Sequence, residues 1–90
     1  MAKSWNYKLK NLNKSVVYAE IVGEHGETET TDVERIYYIV GGRGEFEYLN
    51  KKFAVDEGDV ITIPVKTKYN YWSKDQTVLK IVLIMEIWDN

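Results

Sequence analysis

Ninety residues without a cysteine fit one domain, residues 1–90, and exclude disulfides and thiolate metal sites. A net charge of -2, with no basic run longer than Lys51-Lys52, argues against nucleic acid or an anionic membrane as a partner. The start of the chain lacks the apolar core of a signal peptide, and the longest apolar run, Ile81 to Met85, is too short to cross a bilayer. These features predict a cytoplasmic protein.

Short apolar runs separated by turn residues fill the chain, and no stretch has the periodicity of a helix. Residues 1–13 predict an N-terminal arm or edge strand, because Trp5, Tyr7 and Leu9 alternate with polar residues. The segment Gly41 to Gly44 predicts one turn, and Asn50 to Lys52 predicts another. Short strands at this spacing predict an all-β sandwich or barrel. The further segments that predict strands are 16–22, 28–30, 35–40, 45–49, 53–55, 60–63, 69–73 and 77–88.

The C-terminal strand, residues 77–88, is apolar at nearly every position instead of alternating. A strand with this pattern is covered on both of its faces. In a lone barrel one face of the strand would meet water. The second apolar face therefore predicts a homodimer that forms through this strand.

The stretch from Glu57 to Ser73 combines a turn signal, a β-branched strand, the only proline of the chain and an alternating aromatic segment. Its Gly58 and Pro64 have five residues between them, and the stretch resembles the second sequence motif of the cupin superfamily, which has that spacing. Upstream, residues 35–46 resemble the end of the first cupin motif, a strand that leads into a glycine turn. The resemblance runs from Arg35 to Pro64. It implies a cupin-like jelly-roll β-barrel of two antiparallel sheets with one open mouth for a ligand.

The resemblance also implies where a metal ion would bind, and this chain departs from the pattern there. Metal-binding cupins resemble one another in a pair of histidines, a glutamate and a third histidine, a ligand set that suits transition metals. Thr28 and Thr30 occupy the positions of the pair, Arg35 that of the glutamate and Tyr69 that of the third histidine. An alignment shifted by one residue would put Glu34 in place of the arginine, but the strand's alternation favours the arginine. An inward guanidinium repels a cation, so we expect neither a metal nor another cofactor.

The same register turns six side chains toward the interior of the barrel. Arginine binds planar anions through paired hydrogen bonds, and tyrosine combines an apolar face with a polar tip. We therefore expect a metal-free protein that binds a small polar or anionic molecule: a sugar, a carboxylate or a phosphate. In the alternative, Arg35 pairs with a glutamate of the chain, or lies on the outer face, and the tyrosines only fill the barrel. The predicted ligand-binding residues are Arg35, Tyr37, Tyr69, Tyr71, Thr28 and Thr30.

The single histidine, His25, precedes a glycine in a polar turn, so we expect it to lie in solvent. Together with neighbouring glutamates it could instead form a displaced metal site. Whether the protein is an enzyme stays open. A metal-free isomerase or epimerase, like the cupin-like enzymes of sugar nucleotides, needs a general base, and we expect no histidine inside this barrel. A metal-dependent enzyme with unrecognised ligands is the other alternative.

Overall fold

The computed structural model describes residues 2–8 and 14–86, and these residues form β-strands joined by turns. Within these ranges no helix is long and apolar enough to cross a membrane. Residues 1 and 9–13 of the predicted arm and 87–88 of the predicted last strand lie outside the described residues. The strands are β1 (Ala2–Lys8), β2 (Lys14–Ile21), β3 (Thr28–Glu29), β4 (Arg35–Gly41), β5 (Arg43–Tyr48), β6 (Lys51–Asp56), β7 (Val60–Ile63), β8 (Lys68–Ser73) and β9 (Leu79–Glu86).

The strands form two sheets. One sheet has five strands in the order β1-β2-β9-β4-β7, and the other has four in the order β3-β8-β5-β6. Every strand pair is antiparallel. The arrangement confirms the predicted fold class, an all-β protein of two antiparallel sheets. It also places β9, the apolar C-terminal strand, at the centre of the larger sheet.

The core lies between the inner faces of the two sheets. In β4, Tyr37 and Ile39 are buried, whereas Tyr38 and Val40 between and after them are exposed. This alternation follows from the two-residue period of a strand. Complete burial of a large apolar side chain contributes about 1.5–3 kcal/mol to stability. The buried apolar residues are Ala19, Ile21, Tyr37, Ile39, Phe46, Val55, Ile61, Ile63, Tyr69, Tyr71, Leu79 and Ile81.

Two predicted turns are shorter than the sequence suggested. Gly41 ends β4 and Arg43 begins β5, so Gly42 alone, with φ of 81°, separates the two strands. The β5–β6 turn consists of Leu49 and Asn50, whose φ angles are 52° and 61°. Two consecutive residues with positive φ make the tight hairpin turn whose twist matches that of its strands. The lysines that follow Asn50 therefore belong to β6 and not to the turn.

The glycine and the proline of the motif shape both ends of β7. Gly58 has φ of 94°, and its N–H donates to the carbonyl of Ile39 at 2.8 Å, which holds the turn before β7 against β4. At the other end, the carbonyl of Pro64 accepts a hydrogen bond from Thr30 Oγ1 at 2.5 Å. A proline cannot donate to a ladder, so it suits the residue directly after a strand. These contacts connect both ends of the motif to the rest of the barrel.

Candidate functional site

A cavity of about 230 Å³ opens between the two sheets at the end of the barrel where β1 and β2 lie. The five-stranded sheet supplies an aliphatic floor from β2 and β9. Polar groups reach the cavity from β4, from β8 and from the segment after β2. The lining residues are Ala2, Lys3, Ser4, Val17, Ala19, Ile21, His25, Arg35, Tyr37, Tyr71, Ile81 and Leu83.

Arg35, Tyr37 and Tyr69 form one hydrogen-bonded group at the cavity. Arg35 and Tyr37 lie two residues apart on β4, so both side chains point inward. Arg35 Nη1 donates to the hydroxyl of Tyr69 at 2.6 Å, and that hydroxyl also shares a short hydrogen bond with the hydroxyl of Tyr37. The guanidinium carbon lies 5.8 Å from the centre of the Tyr69 ring. Tyr69 itself does not line the cavity but holds Arg35 in position.

Stacked aromatic rings support the hydrogen-bonded group of Arg35, Tyr37 and Tyr69. The ring of Tyr71 stacks on Phe46 with 4.7 Å between centroids, and Tyr37 meets Phe46 edge to face at 5.2 Å. Tyr69 and Tyr71 lie parallel at 6.3 Å on β8. Aromatic pairs at these distances add about 0.5–1.5 kcal/mol each beyond the burial of their surface. The phenol groups are therefore presented by rigid side chains.

Burial raises the pKa of Tyr37 and of Tyr71 well above the ordinary value of 10.0. The neighbouring phenols raise the pKa of Tyr37 further, whereas at Tyr71 the phenol of Tyr69 raises the pKa and the hydrogen bond with Tyr37 lowers it. The positive charge of Arg35 opposes the rise in pKa at both residues. Both phenols are thus neutral throughout the physiological range and keep an O–H group that can donate. At the inner end of the cavity the fixed charge is the guanidinium of Arg35.

The structure brings four of the six predicted ligand-binding residues together and places the two threonines elsewhere. Thr28 pairs with Tyr69 in the β3–β8 ladder and does not line the cavity. The hydroxyl of Thr30 is buried, donates to the carbonyl of Pro64 and accepts from the N–H of Thr67 at 2.9 Å. The Thr30 hydroxyl therefore stabilises the corner after β7 and does not face the cavity. Thr30 has this role because residues 64–67 turn back toward it. The spacing of Thr28 and Thr30 in the sequence does not indicate that contact.

His25 is a lining residue that the sequence reading placed in solvent. Its ring is exposed, but it stacks on Tyr71 with 4.4 Å between centroids, and its backbone N–H donates to the carbonyl of Tyr71 at 2.8 Å. An adjacent bridge between Glu24 and Trp72 aligns this segment with β8. The contact joins residues far apart in sequence, so no local pattern signals it.

The described residues do not suit a metal ion. Among them, no three His, Cys, Asp or Glu side chains come close enough together to hold one. The positions that carry histidine and glutamate in metal-binding cupins present hydroxyls, a phenol and the Arg35 guanidinium, which donates hydrogen bonds but has no lone pair for a metal.

A second groove, of about 480 Å³, follows β8 and the 49–50 turn. Its walls carry charges of both signs, from Glu27, Glu47, Lys66 and Lys68. Its buried polar residues, Thr67 and Tyr69, bond to the carbonyl of Val65 and to Arg35, and the charged side chains that line it are exposed. The smaller cavity is therefore the better candidate site, since a few placed polar groups on an apolar surface characterise ligand sites.

Comparison with known sequences gives one partial relative. No family model matches the chain. Over 49 residues the sequence is 45% identical to an uncharacterized protein, MJ1618, of Methanocaldococcus jannaschii. The match spans 54% of this chain and 39% of that protein, so the chain corresponds to less than half of the archaeal relative.

Comparison with solved structures identifies the fold. The cupin domain of Cnp3 from Schizosaccharomyces pombe superposes with a TM-score of 0.86 at 12% identity, over 97% of this chain and 65% of that one. A cupin 2 conserved barrel domain protein from Rhodopseudomonas palustris gives 0.86 at 17% identity, over 99% and 63%. The chain spans just under two thirds of the length of each. It has the cupin fold, and the predicted jelly-roll architecture is confirmed.

Proposed function

We propose that the chain binds a small organic anion in the inner cavity, with Arg35 as the anchor of the anionic group. The observation that supports this proposal is that the half-buried guanidinium of Arg35 forms no ion pair with a carboxylate of the described residues. Among the described residues the ion pairs are Arg43–Asp75, Lys66–Asp32 and Lys74–Glu45, and Arg35 takes part in none of them. A buried charge that has no counter-charge costs stability, and a bound anion removes that cost.

The cavity limits the size and chemistry of the ligand. Its volume of about 230 Å³ lies below the range of about 300–1,000 Å³ that is typical of sites for drug-sized ligands, so the ligand is small. Beside Arg35, on the same sheet, the floor includes Val17, Ile81 and Leu83, which cannot pair with a ring of sugar hydroxyls. The proposed ligand is therefore a small carboxylate with a short apolar body. The neutral phenol of Tyr37 donates a second hydrogen bond to the carboxylate.

Titration calorimetry with a panel of small carboxylates, inorganic phosphate and monosaccharides tests the proposal. We expect binding of an aliphatic carboxylate, and loss of that binding in Arg35→Gln, which keeps much of the length of the side chain but removes its charge. Arg43→Gln is the matched control, because Arg43 forms an exposed ion pair with Asp75 at 3.1 Å, away from the cavity. Equal affinity in Arg35→Gln and the unaltered chain would contradict the assignment of the anchor.

His25 favours a second candidate, a metal-free enzyme that moves a proton. Its Nδ1 lies 3.0 Å from the carbonyl of Gly26, and a carbonyl only accepts, so in the neutral imidazole Nδ1 carries the proton and Nε2 is a free base. The ring borders the cavity beside Tyr71. A base and neutral phenols that border the same cavity are the groups needed for an isomerase or epimerase.

Proton NMR in D₂O distinguishes this enzyme from a binding protein. A bound carboxylate whose α-hydrogen is removed exchanges that hydrogen for deuterium, and its resonance disappears. We expect His25→Gln to stop the exchange and to leave the affinity unchanged. Absence of exchange with the unaltered chain would exclude proton transfer and leave simple binding.

Elemental analysis tests the remaining alternative, a metalloenzyme with atypical ligands. A stoichiometric transition metal in the purified chain that is lost in His25→Ala would overturn the metal-free proposal. Equal, substoichiometric metal in both proteins is the expected result.

A further inference from the structure

The inner cavity is lined by groups that hold positive charge and by no carboxylate. Arg35 is fixed at its inner end, and His25 borders it from the segment after β2. Among the lining residues of the described chain there is no Asp or Glu. A ligand with a single carboxylate on Arg35 leaves a protonated His25 without an anionic partner. The lining therefore suits a ligand with two anionic groups.

Lys3 also lines the cavity, but the register of β1 turns its side chain to the other face of the sheet. Ser4 pairs with the buried Ala19, and Lys3 pairs with Glu20. Because successive side chains of a strand point to opposite faces, Ser4 faces the cavity and Lys3 faces outward beside Glu20. The two groups that can bind an anion inside the cavity are thus the guanidinium of Arg35 and the imidazole of His25.

The imidazole of His25 is held in place although it is exposed. The backbone N–H of His25 donates to the carbonyl of Tyr71 at 2.8 Å, and the ring stacks on that tyrosine with 4.4 Å between centroids. The next residue, Gly26, donates its N–H to Asn70 Oδ1 at 2.9 Å. These contacts hold the segment against β8. A group that is already positioned loses little conformational freedom when a ligand binds to it.

One nitrogen of the ring remains for a ligand. Nδ1 of His25 lies 3.0 Å from the carbonyl of Gly26, so Nε2 is the nitrogen without a partner in that contact. In a protonated imidazole both nitrogens donate, so Nδ1 keeps its bond to the carbonyl while Nε2–H donates to an anion. Histidine changes its charge between about pH 5 and pH 8. The cavity can therefore gain a second positive charge within the physiological range.

The charged and titratable groups around this ring do not neutralise the second charge. From β8 it meets the neutral phenol of Tyr71, and from β4 the guanidinium of Arg35 and the phenol of Tyr37 border the same cavity. In its own segment, Glu24 accepts a hydrogen bond at 2.9 Å from the side-chain amide that precedes Tyr71 on β8, and Glu27 lines the second groove. The imidazole takes part in none of the ion pairs of the described residues. A bound anion is thus the partner that the ring lacks.

We propose that the ligand of the inner cavity is an aliphatic dicarboxylate, with one carboxylate bound by Arg35 and the other by the protonated imidazole of His25. This inference rests on the anion site at Arg35 proposed above and adds a second anchor to it. The carbon chain between the carboxylates lies over the apolar floor that includes Val17, Ile81 and Leu83. Where the free imidazole is neutral, binding transfers one proton from the solution to Nε2. The affinity therefore rises as pH falls through the range in which histidine titrates.

Titration calorimetry with matched pairs of carboxylates tests the proposal. Succinate and butyrate, glutarate and valerate, and adipate and hexanoate have equal numbers of carbons and differ in the second carboxylate. At about pH 6 simple carboxyl groups are mostly ionised and histidine is mostly protonated, and at about pH 8 histidine is neutral. We expect the best dicarboxylate to bind about fivefold more tightly than its monocarboxylate at the lower pH, and no more tightly at the higher pH. Heats measured near neutral pH in two buffers of different ionisation enthalpy should show the uptake of a proton by the dicarboxylate complex.

Variants assign the second anchor to its residue. His25→Gln should remove the preference for the dicarboxylate at the lower pH. His25→Lys, whose charge does not change between the two pH values, should extend the preference to the higher pH. Lys3→Gln is the matched control, because it removes a positive charge near the mouth of the cavity that points to the other face, and it should keep the preference. A preference that survives His25→Gln, or that the unaltered chain keeps at the higher pH, overturns the proposal.

The same titrations separate this proposal from the anion site on which it rests. Equal affinity within every pair at the lower pH, together with loss of all binding in Arg35→Gln, would retain the anion site and overturn the second anchor. Absence of binding for every compound at both pH values would overturn the two proposals together.

Discussion

Tyr69 is the residue through which Arg35 and the core are connected. Its hydroxyl accepts from Arg35 Nη1 at 2.6 Å and bonds the hydroxyl of Tyr37, and its ring is buried. Tyr69→Phe keeps the ring and leaves the buried hydroxyl of Tyr37 and the half-buried guanidinium of Arg35 without this partner. Such a loss costs about 1–3 kcal/mol, so we expect the free energy of unfolding in a urea titration to fall by that amount. Tyr48→Phe is the control, because its hydrogen bond to the carbonyl of Thr62 is exposed and 3.3 Å long, and it should change stability by less than about 0.5 kcal/mol. Equal effects of the two substitutions would contradict the role of Tyr69.

Gly42 is the glycine that the fold needs most. Its φ is 81°, and a Cβ at this position would overlap the carbonyl oxygen of Val78, a backbone atom that cannot move aside cheaply. Gly42→Ala therefore has to displace the start of β9, and we expect a loss of about 3 kcal/mol or more, since it combines a positive φ with overpacking. Gly58→Ala is matched in backbone conformation, with φ of 94°, but its Cβ would meet open space. It should cost only about 1–2 kcal/mol, from the left-handed backbone alone. Thermal unfolding of both variants measures the difference, and similar melting temperatures would refute the steric explanation.

At the scale of elements, the sequence predicted the strands between Arg35 and Pro64 because their inward and outward residues alternate regularly. The same alternation put Arg35, Tyr37, Tyr69 and Tyr71 on inner faces, where the structure has them. It could not place His25, since that contact depends on a segment near Gly23 meeting β8 more than forty residues later. Local patterns report which face a side chain takes, and they carry no information on which distant segment lies opposite.

The hairpin turn between β5 and β6 carries a residue that suits it poorly. Leu49 has φ of 52°, a conformation that leucine rarely adopts and asparagine tolerates. Its side chain is 63% exposed, so replacing it removes little packing. We expect Leu49→Asn to stabilise the chain by about 0.5–1 kcal/mol in a urea titration. Val78→Asn, also at an exposed apolar residue but with ordinary negative φ, should not stabilise it. If both substitutions gain equally, lower surface hydrophobicity and not the turn explains the gain.

For the molecule as a whole, two phenols buried between the sheets connect the stability of the fold to pH. Desolvation raises the pKa of Tyr37 and Tyr71 and keeps them neutral in the folded chain at pH values where an exposed tyrosine ionises. In the unfolded chain both return to the ordinary pKa of 10.0. Above this pH the unfolded state binds fewer protons than the folded state, so stability falls as pH rises. Below it, both states hold the protons and the contribution is constant.

The free energy of unfolding should therefore decline above about pH 10, by up to about 1.4 kcal/mol per pH unit for each buried phenol. Urea titrations between about pH 9 and pH 11.5 measure this slope, and absorbance of phenolate shows the two tyrosines ionising only as the chain unfolds. Tyr71→Phe removes one titrating group and keeps its stack on Phe46, so its slope should be shallower by about that amount per pH unit. Lysines also titrate in this range, but they are the same in both proteins and cancel from the difference. Equal slopes would mean that the Tyr71 hydroxyl contacts water and ionises in the folded state. This result would contradict the burial of Tyr71 between the sheets.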